Sequence, residues 1–148
     1  MKILLAVDGS PCSKRAVEEV AKRPWPANSK IRLITVRQKN EALEELSAIR
    51  AAEALPGQED WHGIDFMTEA FAMLKASDNF IEIIPAVRTG RAKDSIIEDA
   101  EQWEADLIVI GSHGYGIVKH FLLGSVSLAV ALNAHCSVEI VRTKADIP

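Results

Sequence analysis

The chain has 148 residues, 48% hydrophobic and 26% charged, with a formal net charge of -4. Such a length suits one domain around one core, and the composition excludes wholesale disorder. The acidic balance, with no dense Lys/Arg run, excludes a general electrostatic hold on nucleic acid or anionic lipid.

The apolar run Ile3–Val7 is too short for a secretory signal and far short of the roughly 20 apolar residues of a membrane span. Two cysteines, Cys12 and Cys136, cannot make a disulfide framework, so a reducing, cytoplasmic setting without a membrane partner is expected.

In chain order, Ile3–Val7 is a continuous β-favouring run, as a strand buried on both faces requires. Asp8-Gly9-Ser10-Pro11 turns into a helix, with Ser10 as N-cap and Pro11 at its first position. Ala16, Val17, Val20 and Ala21 mark that helix's inner face, and Pro24-Trp25-Pro26 stops it. Ile31–Val36 is a second strand. The segment 37–57 after it contains a short helical pattern (42–55) closed by Pro56-Gly57, and stands as an insertion or lid. A longer helix is expected over 61–76, with Trp61, Ile64, Met67, Phe71 and Leu74 on one side.

Phe80–Val87 reads as a third strand with an irregular end at Pro85, followed by a turn at Thr89-Gly90. A helix carrying Ile96, Ile97 and Ala100 runs to about Trp103. Asp106–Ile110 is the clearest strand, and the loop Gly111–Gly116 leads into a helix reaching about Asn133. Ser137–Arg142 is the last strand. Alternation of this kind predicts an α/β fold: a doubly wound, five-stranded parallel sheet with helices on both faces, in one domain spanning 1–148.

Ligands of such sheets bind beyond the carboxyl ends of the strands. The most informative strand end is Gly111-Ser112-His113-Gly114-Tyr115-Gly116, between a strong strand and a helix. Glycines there let backbone N–H groups approach a ligand, and a helix N-terminus favours an anion such as phosphate. Gly124-Ser125 follows Gly114 at a spacing that would let Ser125 reach the same phosphates. A tight strand-to-helix turn explains the glycines of the loop alone equally well.

Gly111, Gly114, Gly124 and Ser125 fill the pattern Gly-x2-Gly-x9-Gly-Ser/Thr, and with Ile3–Ser10, Val87–Gly90 and Asp106–Gly114 the chain resembles the universal stress protein family in its ATP-binding branch. The resemblance spans nearly the whole chain. It implies a Rossmann-like fold of the adenine nucleotide alpha hydrolase type, ATP or another adenine nucleotide as ligand, Mg2+ arriving with it, and a homodimer formed through the last strand.

Carried over position by position, the resemblance implies Asp8 beside the ribose and the phosphate-bound metal. It implies Ala6 and Val36 along the adenine and ribose pocket, and Ile110 and Gly111 beside base and sugar. His113 and Gly114 fall in the phosphate loop, Gly124, Ser125 and Val126 at the second phosphate contact, and Ser127 at a nearby hydroxyl position. Asp8 has a purely structural alternative, bonding the N–H groups of Gly9 and Ser10. His113 can equally cap the loop. The chain departs from the family at Tyr115-Gly116-Ile117, at Ser137 in place of proline, and at Glu139 within an otherwise apolar strand.

Cys12, in the first turn of its helix, is either a thiol activated by the helix end or a small residue tolerated beside a cap. His62, His120 and His135 show no metal-ligand spacing, and Trp25, Trp61 and Trp103 read as packing. A regulatory nucleotide-binding protein is the leading expectation. The alternatives are a slow ATPase and a nucleotide-free dimeric adaptor; no Walker lysine and no evident general base supports turnover.

Overall fold

The computed structural model describes residues 1–38, 62–77, 81–114 and 123–144. In chain order these form β1 (Lys2–Ala6), α1 (Pro11–Lys22), β2 (Lys30–Gln38), α2 (His62–Ala76), β3 (Glu82–Gly90), α3 (Ala92–Gln102), β4 (Leu107–Gly111), α4 (Ser125–Asn133) and β5 (Ser137–Val141). The five strands are all parallel, in the order β3-β2-β1-β4-β5. Strand order therefore reverses between β1 and β4, and it is there that the carboxyl ends open a crevice.

The two central strands are apolar on both faces because both faces are covered. Ile3 and Leu5 of β1, Val7 just beyond it, and Leu107 and Val109 of β4 pack with Ala16, Val17 and Val20 of α1 and Phe66, Met67, Ala70 and Leu74 of α2. Their alternates Leu4, Ala6, Ile108 and Ile110 pack with Ile96 and Ala100 of α3 and Val130 of α4. The period of two along each strand thus sorts one sequence into two cores.

Helix α1 begins as its sequence predicts. The Ser10 hydroxyl accepts the Ser13 N–H at 3.3 Å, and Pro11 occupies the first turn. At its far end the Val20 carbonyl accepts both the Arg23 N–H of the C-cap at 3.4 Å and the Trp25 Nε1–H at 2.8 Å, so a side chain reinforces the last turn.

Three boundaries differ from the sequence expectations. β3 runs on to Gly90, so Thr89 and Gly90 pair with Arg37 and Gln38 rather than forming a turn. Pro85 lies mid-strand, opposite Leu33. It is tolerated because β3 is an edge strand and proline's missing donor can face outward. The last helix starts at Ser125, not just beyond Gly116, because Gly124 is its N-cap and sends its own N–H back to the Ser112 carbonyl at 2.8 Å. The expected helix 42–55, residues 39–57 of the insertion, Trp61, His120, Tyr115-Gly116-Ile117 and the side chains of His62 and Ile64 lie outside the described residues.

Glu139, the charge in the last strand, has a physical partner. Its carboxylate forms a two-point ion pair with the Arg23 guanidinium at the end of α1. That hydrogen bonding, more than the Coulomb attraction, raises the Arg23 pKa against the opposing effect of burial. Val138 and Ile140 point to the opposite face, against the α3–α4 core. Cys12 is buried and Cys136 half-buried, both as free thiols; burial pushes the Cys136 thiol up.

Candidate functional site

At the switch point the carboxyl ends of β1, β2 and β4 meet the N-terminal ends of α3 and α4 around an open cleft of about 610 Å³, mouth included. Ala6, Ile34, Val36, Ala92, Ile96 and Ile110 give it an apolar side; Asp8, Ser10, His113, Gly114 and Gly124 give it a polar one. Val7, Ser13, Gly111, Val126 and Ser127 complete the lining. An apolar slot with a few converging polar groups is the usual build of a small-molecule site.

The polar side is assembled by two turns that lock into each other. In the first, Gly9 takes φ 82, which lets the chain leave β1 and enter α1 at once. The Asp8 Oδ1 accepts the Ser10 N–H at 2.9 Å, while the Ser13 hydroxyl accepts the N–H groups of Asp8 at 3.1 Å and Gly9 at 3.3 Å. The structural role open to Asp8 is thus filled at Ser10 by one carboxylate oxygen. Its other oxygen faces the second turn: a Cβ placed on Gly114 would lie 2.8 Å from Asp8 Oδ2. Ser10 joins the turns directly, its hydroxyl donating to the His113 carbonyl at 3.2 Å.

The second turn is pinned through Ser112, which is fully buried. Its N–H donates to the Val141 carbonyl at the end of β5, and its carbonyl accepts the Gly124 N–H. Its hydroxyl lies 3.1 Å from His113 Nδ1 and 3.4 Å from Cys12 Sγ. A Cβ on Gly124 would stand 3.2 Å from the Ser112 carbonyl oxygen, 3.4 Å from His113 Cα and 3.9 Å from the Gly114 nitrogen. The two glycine positions, ten residues apart in the motif, therefore converge on one spot at the start of α4. The first N–H groups of α4 have no acceptor within the helix, and no side chain caps that end. This is the backbone arrangement that holds phosphate.

Of the sequence-predicted site residues, Ala6, Asp8, Val36, Ile110, Gly111, His113, Gly114, Gly124, Val126 and Ser127 line the cleft. Ser125 does not; it is the exposed first residue of α4. Ser127 is buried, and its hydroxyl proton is directed to the Gly111 carbonyl at 2.6 Å. It ties α4 to β4 instead of offering a donor to the cleft. Gly111 is there for packing: a Cβ would fall 2.7 Å from the Cys12 carbonyl carbon and 2.8 Å from the Ser13 nitrogen. Val7, Ser10, Ser13, Ile34, Ala92 and Ile96 also line the cleft and were not singled out as site residues from sequence. Ala92 had a signal, since it follows directly on a strand end that opens to the same side.

The family model of the universal stress proteins matches residues 1–142. The chain belongs to the universal stress protein family. It is 36% identical over 150 residues to universal stress protein A homolog 2 of Coxiella burnetii, covering 97% of this chain and 95% of that protein. The fold matches hypothetical protein MJ0577 with a TM-score of 0.78 at 23% identity, over 97% of this chain and 96% of the other. A universal stress protein in complex with cAMP superposes with a TM-score of 0.65 at 26% identity, over 96% of both chains. A family member from Arabidopsis thaliana with AMP bound matches at 0.62 and 22% identity, over 99% of this chain and 94% of the other. Relatives of this universal stress protein thus hold adenine nucleotides. Among its own described residues no helix is long and apolar enough to cross a membrane.

Proposed function

We propose that the chain is a regulatory protein of the ATP-binding branch of its family, with an adenine nucleotide in the cleft between β1 and β4. The observation that carries this reading is the convergence of Gly114 and Gly124 at the N-terminal end of α4, beside an apolar slot. The base lies between the apolar residues of β2, α3 and β4, and the phosphates lie against the backbone of Gly114 and the first turn of α4. Asp8 supplies an exposed carboxylate at the phosphate end. Mg2+ fits that donor set, because it characteristically takes one or two carboxylates and completes its octahedron with phosphate oxygens and water. Bound there it would neutralise phosphate charge next to Asp8. His113, its Nδ1 against Ser112, faces the same end of the cleft.

Regulation in this reading is a shift in the population of assembly states on nucleotide binding. The assembly is a homodimer through β5, an edge strand whose Val138 and Ile140 are half-buried. Leu128 and Leu132 of α4 are exposed at 46% and 74% and add apolar surface.

Substituting Gly124 by valine tests the site. The new side chain meets the Ser112 carbonyl and the backbone of His113, so it pushes the loop off the helix end. Saturable ATP binding is expected to vanish in titration calorimetry, while replacing the N-cap glycine destabilises the fold by only about 1 kcal/mol. Wild-type affinity in a folded Gly124→Val protein would refute the placement.

A further inference from the structure

On the α3 side of the sheet, just below the cleft, three charged side chains meet that the nucleotide site does not use. Asp99 of α3 is 3% exposed. Its Oδ1 accepts from Arg88 Nη2 at 2.6 Å, Arg88 Nε at 2.9 Å and Arg32 Nη2 at 3.1 Å. Arg32 Nε stands 2.5 Å from Asp99 Oδ2, a charge contact out of line for a hydrogen bond. The Arg32 guanidinium also lies over the Trp103 ring, 5.6 Å from its centre, at the C-cap of α3. One carboxylate therefore fastens α3 to both β2 and β3.

Position along the elements gives this clamp its meaning. Ala92, Ile96 and Asp99 follow each other at i, i+4 and i+7, on one face of α3. Arg32, Ile34 and Val36 alternate onto one face of β2. The same helix face and the same strand face thus carry the apolar wall of the cleft at one end and the charged clamp at the other. Arg88 lies four residues before Ala92, so its bond to Asp99 closes a short loop around the turn that starts α3.

Apolar side chains in these three places would hold the helix to the sheet equally well or better, because a buried ion cluster is seldom more stable than its hydrophobic replacement. What apolar contact lacks is direction. A guanidinium on a carboxylate fixes distance and angle together.

We propose that Asp99, with Arg32 and Arg88, is a positioning group that sets the width of the slot between α3 and β2, and with it the selection of a purine over a smaller base. The inference rests on the nucleotide reading above. The slot wall is Ala92 and Ile96 on one side and Ile34 and Val36 on the other. The clamp touches none of the ligand and acts through the helix.

The test compares ATP with CTP, which share the triphosphate and differ in base size. Dissociation constants for both are measured by calorimetry on the full chain, as wild type, Asp99→Asn and Arg88→Gln, well below each melting midpoint. Arg88 is 40% exposed at its side chain, so its replacement keeps the fold even where Asp99→Asn does not. The preference for ATP over CTP is expected to narrow about tenfold in either folded variant, within the range that a base-sized pocket change produces. A clamp that served stability alone would lower the midpoint and leave the ratio at its wild-type value; that result overturns the inference and leaves the nucleotide site standing. A wild-type chain that binds neither nucleotide overturns both.

Discussion

Asp99→Ala is expected to lower the unfolding free energy by about 3 kcal/mol, the low end of the range for breaking a buried ion cluster from one side. The substitution leaves two guanidinium groups facing each other without their shared carboxylate. Arg32 is 18% exposed at its side chain and feels most of that loss, whereas Arg88 at 40% regains water. Removing the charges together should recover much of the stability: a triple replacement by apolar residues of matching volume is expected to melt within a few degrees of wild type. Chemical denaturation of the two variants measures both values, and equal destabilisation of single and triple replacements would mean that packing, not charge, holds α3.

Gly111→Val is expected to be at least as damaging. Gly111 ends a central strand, and the space its Cβ would need is filled by the backbone of Cys12 and Ser13 rather than by a movable side chain. Relief requires α1 to move outward, and α1 carries Ala16, Val17 and Val20 of the core. Overpacking of this kind costs about 3 kcal/mol, which in a domain of this size lowers the midpoint by roughly 6–12 °C. A variant melting within a degree of wild type in calorimetry would show that the first turn of α1 yields freely. Gly111 therefore differs from Gly124, although one sequence pattern contains both. The first is required by packing against α1; the second lets two backbone segments meet where a ligand binds.

That difference marks where the sequence was legible and where it was not. The runs Ile3–Val7 and Asp106–Ile110 announced central strands because burial on both faces leaves no room for polar alternates. Ser10-Pro11 announced a helix start because capping chemistry is local. The spacing of Gly111, Gly114 and Gly124 pointed to the end of the sheet where the cleft opens, and ten of the eleven residues singled out with it line that cleft.

What escaped depends on tertiary neighbours. Ser127 has the residue type of a phosphate contact, but where its hydroxyl points is set by the packing of α4 on β4. Ser125 falls outside the cleft lining as the exposed first residue of α4, a helix boundary that spacing does not convey. Pro85 suggested a strand end because its tolerance depends on β3 being at the edge, a fact of strand order. Glu139 stood out as a fault in an apolar strand until Arg23 supplied its partner from the end of α1. Arg32 and Asp99, 67 residues apart, were ordinary charges until the fold placed them together.

The central claim, that an adenine nucleotide occupies the cleft where Gly114 and Gly124 meet, is tested most directly by a thermal-unfolding titration. The protein is stripped of co-purified nucleotide and melted over a range of ATP concentrations, with and without Mg2+. At 100 times its dissociation constant the ligand should stabilise the folded state by about 2.7 kcal/mol, raising the midpoint by several degrees. A saturable rise that is lost in Gly124→Val is the predicted result. An unchanged midpoint at millimolar ATP, in both the wild type and the variant, would contradict it and leave the glycine loop as a structural turn.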